Sequence, residues 1–195
     1  MNRHTSWRGA DGFTLLELLI TVSVLGILAG ISIVGFTRNW RDERLKGASR
    51  ATAAWLDEAR RLAVQKATPC RVSVNRSAGQ LSLEPNPLNA TEFCAASDLS
   101  PLTMASAVQN GKDIRLCSAS MESLDPTQTS LNCSSAQSGS DSLVFTPRGT
   151  ATTGLLIQVN LPEASADRCV AVMAPMGQIR SGRVTNGSCD FTKAF

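Results

Sequence analysis

One carboxylate stands alone inside an apolar stretch close to the N-terminus. Residues 13–36, FTLLELLITVSVLGILAGISIVGF, contain Glu17 as their single ionisable side chain. A charge inside a membrane helix costs about 2.5–3.5 kcal/mol at the centre and less near an end, so it marks a function and needs a partner. The other reactive side chains are six cysteines, Cys70, Cys94, Cys117, Cys133, Cys169 and Cys189, all downstream of the apolar stretch. An even count in an exported domain predicts up to three disulfides. No Cys-x-x-Cys spacing occurs and the only histidine is His4, so no zinc site is expected. Beyond residue 12 there is neither histidine nor tyrosine, which removes Ser-His-Asp and Cys-His nucleophilic schemes. The acidic residues are scattered, with no pair at a spacing that argues for acid–base work. The sequence therefore predicts no catalytic residue, no cofactor and no metal site.

These residues must be held by a small number of elements. At 1.5 Å per residue the apolar stretch spans roughly 36 Å as a helix, enough to cross a bilayer with some tilt. A secretory signal peptide would be shorter and would end at a small-x-small cleavage site, whereas this run ends in Arg38-Asn39-Trp40-Arg41. Counting basic residues gives Arg3 and Arg8 before the run against Arg38, Arg41, Arg44 and Lys46 after it. That count alone would put the C-terminal part in the cytoplasm; the cysteines argue for the opposite side. The net charge of +3 is mild and neither requires nor excludes an anionic partner.

Past the apolar run, Leu45, Ala48, Thr52, Trp55, Ala59 and Leu62 recur at three- and four-residue spacing, which continues the helix with one buried stripe. Thr68-Pro69 is the expected stop. Short β-like runs follow at 71–74, 80–83, 114–117, 142–145, 155–161, 169–173 and 178–180, and the connections 84–113 and 133–141 read as surface loops. Helix first and strands after predict an α+β fold, with the amphipathic half of a long helix laid on an antiparallel β-sheet head. Six cysteines allow fifteen pairings. Neighbouring pairs, Cys70 with Cys94, Cys117 with Cys133 and Cys169 with Cys189, are preferred.

The residues Gly12-Phe13-Thr14-Leu15-Leu16-Glu17-Leu18-Leu19 resemble the prepilin signature of type IV pilins and type II secretion pseudopilins. The resemblance implies cleavage between Gly12 and Phe13 by prepilin peptidase, N-methylation of Phe13, and an assembly role for Glu17. The physics agrees, because the cut creates an α-amino cation at Phe13 that Glu17 of the same or a neighbouring subunit neutralises in an apolar filament core. Further on, Phe145-Thr146-Pro147-Arg148-Gly149, the run Leu155-Leu156-Ile157-Gln158-Val159 and Gly177-Gln178-Ile179-Arg180 are similar to the C-terminal half of GspH/FimT-type minor pilins. Pro147 and Gly149 also have a plain reading as turn residues.

The implied organisation is a leader at 1–12, a transmembrane and filament-core helix at 13–37, its amphipathic half at 38–68 and a disulfide-containing β-rich head at 69–195, a pilin fold. The implied function is that of a minor pilin, a structural subunit in type IV pilus initiation and assembly. It would be a single-pass inner-membrane protein with a periplasmic head before it enters a filament. Its partners would be prepilin peptidase, other pilins or pseudopilins and the inner membrane. A minor pseudopilin of a type II secretion system is the alternative. A DNA-uptake pilin is a third reading, because some FimT-type pilins use a C-terminal Gly-Arg-x-Arg motif. Gly182-Arg183-Val184-Thr185 lacks its second arginine, with Arg180 and Lys193 nearby to supplement it. A solvated strand edge is the plainer account of these cations.

Overall fold

The computed structural model describes residues 13–85, 93–108, 111–121, 131, 133 and 138–193, with backbone only for 31–38 and 121. The chain forms two compact units, Met1–Thr37 and Arg38–Phe195. One helix, α1 (Leu15–Gln65), contributes to both. In the first unit its apolar side chains are exposed, from Leu15 at 84% to Leu28 at 57%. Among the described residues no helix is long and apolar enough to cross a membrane; the side chains described within the apolar run cover 15–30, about 24 Å of helix.

In the second unit α1 buries Leu45, Ala48, Thr52, Leu56, Ala59 and Ala63 completely. Their spacing of three and four keeps them on one face. Trp55 is 6% exposed and keeps its indole N–H satisfied by donating to the Ser100 carbonyl at 2.8 Å. The helix ends at Gln65, three residues before the expected stop. Ala67 adopts a left-handed φ of 50°, its N–H donates to the Val64 carbonyl and the Thr68 N–H donates to the Ala63 carbonyl, both at 3.2 Å. This is a Schellman termination, and it acts before proline at position 69 can.

Among the described residues nine strands follow: β1 (Cys70–Asn75), β2 (Gln80–Glu84), β3 (Leu102–Thr103), β4 (Arg115–Met121), β5 (Ser140–Phe145), β6 (Gly154–Asn160), β7 (Arg168–Met173), β8 (Gln178–Thr185) and β9 (Ser188–Asp190). They build two antiparallel sheets, ordered β3-β2-β1-β5 and β4-β6-β7-β8-β9. Val72, Val74, Leu81 and Phe145 of the first sheet share one core with Leu116, Leu155, Ile157, Val170 and Val172 of the second and with the buried face of α1. The α+β expectation holds, with two sheets where one was expected. A smaller apolar cluster, Leu156, Cys169, Ala171 and Cys189 with Val184 and Phe191, covers the other face of the second sheet.

The connection 84–113 is more than a surface loop. It carries β3, whose Leu102 pairs with Leu81, and a short helix α2 (Met104–Ala107) that plugs the core with Met104, 2% exposed. Residues 86–92 and 109–110 of this connection, and 134–137 of the segment 133–141, lie outside the described residues. Disulfides join Cys70 to Cys94, Cys117 to Cys133 and Cys169 to Cys189, with Cα separations of 4.8, 5.7 and 6.1 Å.

The Phe145–Gly149 motif ties three elements together. Gly149 has φ 77° and closes a turn by donating to the Thr146 carbonyl at 2.8 Å. Its own carbonyl accepts from Arg60 Nε of α1 at 2.7 Å. Gly177, φ 64°, packs on the same carbonyl from the β7–β8 turn, where a Cβ would lie only 2.4 Å from it. The Ala151 N–H then donates to the Pro175 carbonyl at 3.0 Å. Glycine is required at both positions because L side chains disfavour this backbone and Gly177 also has no room for one.

Candidate functional site

The N-terminal site is built on the first turn of α1. Thr14 stands just before the helix. Its carbonyl accepts from the Leu18 N–H at 3.1 Å and its hydroxyl accepts from the Glu17 N–H at 3.2 Å. Thr14-Leu15-Leu16-Glu17 is thus a Thr-x-x-Glu helix start, a pattern legible in the sequence itself. It gives Glu17 a second task, since a carboxylate in the first turn complements the partial positive charge of the helix N-terminus. Phe13 is 79% exposed and Glu17 is exposed too. Gly12, like all of residues 1–12, lies outside the described residues.

The three basic residues singled out for DNA are divided by the sheet. Arg180 and Arg183 are three apart on β8, so pleating sends them to opposite faces. Arg180 is exposed and sits over the Phe191 ring at 6.0 Å. With Lys193 it lines an open recess of about 510 Å³, and Lys193 pairs with Asp190 at 3.3 Å. Arg183 instead faces α1: it stands opposite Arg168 of β7 and donates at 3.5 Å to the Ser165 hydroxyl. Ser165 in turn donates to Asp42 from its backbone at 2.9 Å and from its hydroxyl at 2.5 Å. Burial works to raise the Asp42 pKa, but the Ser165 hydrogen bonds and the charges of Arg168 and Arg183 outweigh it and hold the carboxyl below its ordinary value. Burial, and then Arg183 beside it, lower the Arg168 pKa against the pull of Asp42 and Glu43. Among the described residues no group of histidine, cysteine and carboxylate side chains could hold a metal.

Residues 7–33 match the model of the prokaryotic N-terminal methylation motif. The chain is type IV pilin-like in this segment. No curated protein matches. Two solved structures share part of the shape. The minor pseudopilin EpsH of the Vibrio cholerae type 2 secretion system is 11% identical, TM-score 0.45, over 69% of this chain and 93% of that one. The type IV minor pilin FimU of Pseudomonas aeruginosa PAO1 is 16% identical, TM-score 0.43, over 69% and 89%. Neither likeness carries a functional argument. The pilin-like motif itself covers Gly12, Phe13 and Glu17, the residues on which the processing and assembly expectations were placed.

Proposed function

We propose that this chain is a minor pilin, cut between Gly12 and Phe13 by prepilin peptidase, N-methylated on Phe13, and built into a type IV pilus through its N-terminal helix. Before assembly it resides as a single-pass protein of the inner membrane, anchored by residues 13–36, with its disulfide-bonded head in the periplasm. The observation that carries this reading is the methylation motif over residues 7–33, with Glu17 as the lone carboxylate of the apolar run. Glu17 neutralises the new Phe13 amine of its own or a neighbouring subunit, so that two charges enter the filament core as a pair.

Intact mass and N-terminal sequencing of the chain, made with and without a prepilin peptidase, test this. The expected product begins at methylated Phe13, depends on the peptidase, and is reduced or absent in Gly12→Ala. A chain that keeps Met1 in the presence of the peptidase, or is cut after Phe36, would sink the proposal. A second reading, DNA contact, draws on the recess that brings Arg180, Phe191 and Lys193 together, since an aromatic ring beside cations suits single-stranded bases and phosphates. In this arrangement Arg183 takes no part. Salt-dependent binding of an oligonucleotide that falls in Arg180→Ala and Phe191→Ala, and stays level in Arg183→Ala, is the expected pattern; equal binding by all variants would remove this reading.

A further inference from the structure

Four basic residues, Arg38, Arg41, Arg44 and Lys46, follow the apolar run within ten positions of Phe36. In the topology of the proposed function they lie on the side where the charge rule for membrane helices disfavours them. The fold adds to this excess. The β4 end of the second sheet brings Lys112 and Arg115 beside Arg41 and Arg44 around an open recess of about 500 Å³, with Asp113 and Glu163 as its carboxylates. Four cations thus meet two anions. Of these, Arg41 pairs with Glu163 while their side chains stay 40% and 71% exposed, an arrangement in which water screens most of the attraction.

Farther along α1 charges of both signs alternate and pair, Arg61 with Asp57 at 2.6 Å and Lys66 with Asp98 at 2.5 Å. Trp40 stands in the basic stretch, 51% exposed and four residues past Phe36. Tryptophan flanked by arginines at the end of an apolar run is the pattern of a membrane–water interface.

We propose that the recess formed by Arg41, Arg44, Lys112 and Arg115 docks the phosphate headgroups of anionic phospholipids, holding the head on the bilayer surface before assembly. This rests on the membrane anchoring proposed above. Lipid is favoured over DNA or an acidic protein because Trp40 and the end of the apolar run are next to these cations in sequence. A polybasic segment at that position gains from an anionic surface within a Debye length.

The test uses the full chain, first checked for resistance to alkaline carbonate extraction from membranes. Native mass spectrometry in detergent micelles then compares retention of phosphatidylglycerol and phosphatidylcholine of matched acyl chains. The wild-type chain should retain phosphatidylglycerol about fivefold better, and Arg41→Glu/Lys112→Glu should abolish the preference, as expected when two cations near an anionic surface are reversed. Arg61→Glu/Arg148→Glu, the same charge change at exposed sites away from the recess, should keep it. Lys112→Gln, a neutral change at one exposed position, should lower it by about half and guards against misfolding of the double variant. Equal retention of both lipids by the wild type would overturn the docking proposal alone. Equal loss in the distant pair would do so too, as would displacement of phosphatidylglycerol by an oligonucleotide or polyglutamate. Release by carbonate would overturn both this proposal and the membrane anchoring.

Discussion

The same helix carries two different surfaces. In the first unit the leucines, isoleucines and valines described between Leu15 and Leu28 are exposed, whereas in Arg38–Phe195 one apolar face is buried to 0% at six positions and the other faces are polar. The two stretches have similar helix-forming residues and differ in pattern: apolar all round in one, striped in the other. A continuous α-helix therefore says little about stability by itself. What decides it is whether the apolar surface has already been removed from water within the chain or still needs a bilayer or another subunit to remove it.

Equal truncations in the two regions sharpen this contrast. Leu56→Ala should lower the unfolding free energy of the head by about 2–5 kcal/mol, and Leu19→Ala should change it by less than about 0.5 kcal/mol. Denaturant unfolding of the full chain in micelles, followed by near-ultraviolet circular dichroism, reads both, and comparable losses would erase the distinction. Next in size, Cys169→Ser/Cys189→Ser should cost the head about 2–4 kcal/mol by freeing its unfolded chain, with processing at Gly12 unchanged. Gly177→Ala should cost about 1–3 kcal/mol through its left-handed backbone and the nearby Gly149 carbonyl; an unchanged unfolding midpoint would show that the two turns separate easily.

The smallest expected effect is with pH. Ser165 and the neighbouring arginines, against burial, lower the pKa of Asp42; Lys46 lowers that of Glu43, Lys66 that of Asp98 and Thr192 that of Asp190. Carboxyls lowered on folding contribute stability above their unfolded pKa, about 4, and lose it as pH falls through the folded values. The unfolding midpoint should hold from pH 7 to 5 and drop below about pH 4. Asp42→Asn should start lower and drop less, and a parallel drop would show that Asp42 contributes nothing.

Periodicity made the buried face of α1 legible, and seven of the strands could be read from short β-like runs. The strands β3 and β9 were not, because two or three residues carry no period; β3 is held by β2 across a long connection and β9 by β8 across a two-residue turn. β8 was cut short at position 180, where Ser181, Gly182 and Arg183 lack β-forming character; Gly182 is there because a Cβ would meet the Asp190 carbonyl at 2.6 Å. The N-terminal site was read from a motif. The basic residues, by contrast, were grouped by nearness in sequence, although an odd spacing on a strand already separates Arg180 from Arg183. The recess at Arg41 was invisible, since Lys112 and Arg115 reach it only through the sheet.

The Gly177–Gly149 approach has a consequence for inheritance. Two loops twenty-eight positions apart in sequence meet through a backbone contact with no space for a side chain at Gly177, so they pass between related heads without loss only when the glycine comes with them. A recombinant that takes the β5–β6 turn from one parent and the β7–β8 turn from another keeps its full stability only where both parents brought glycine to the junction.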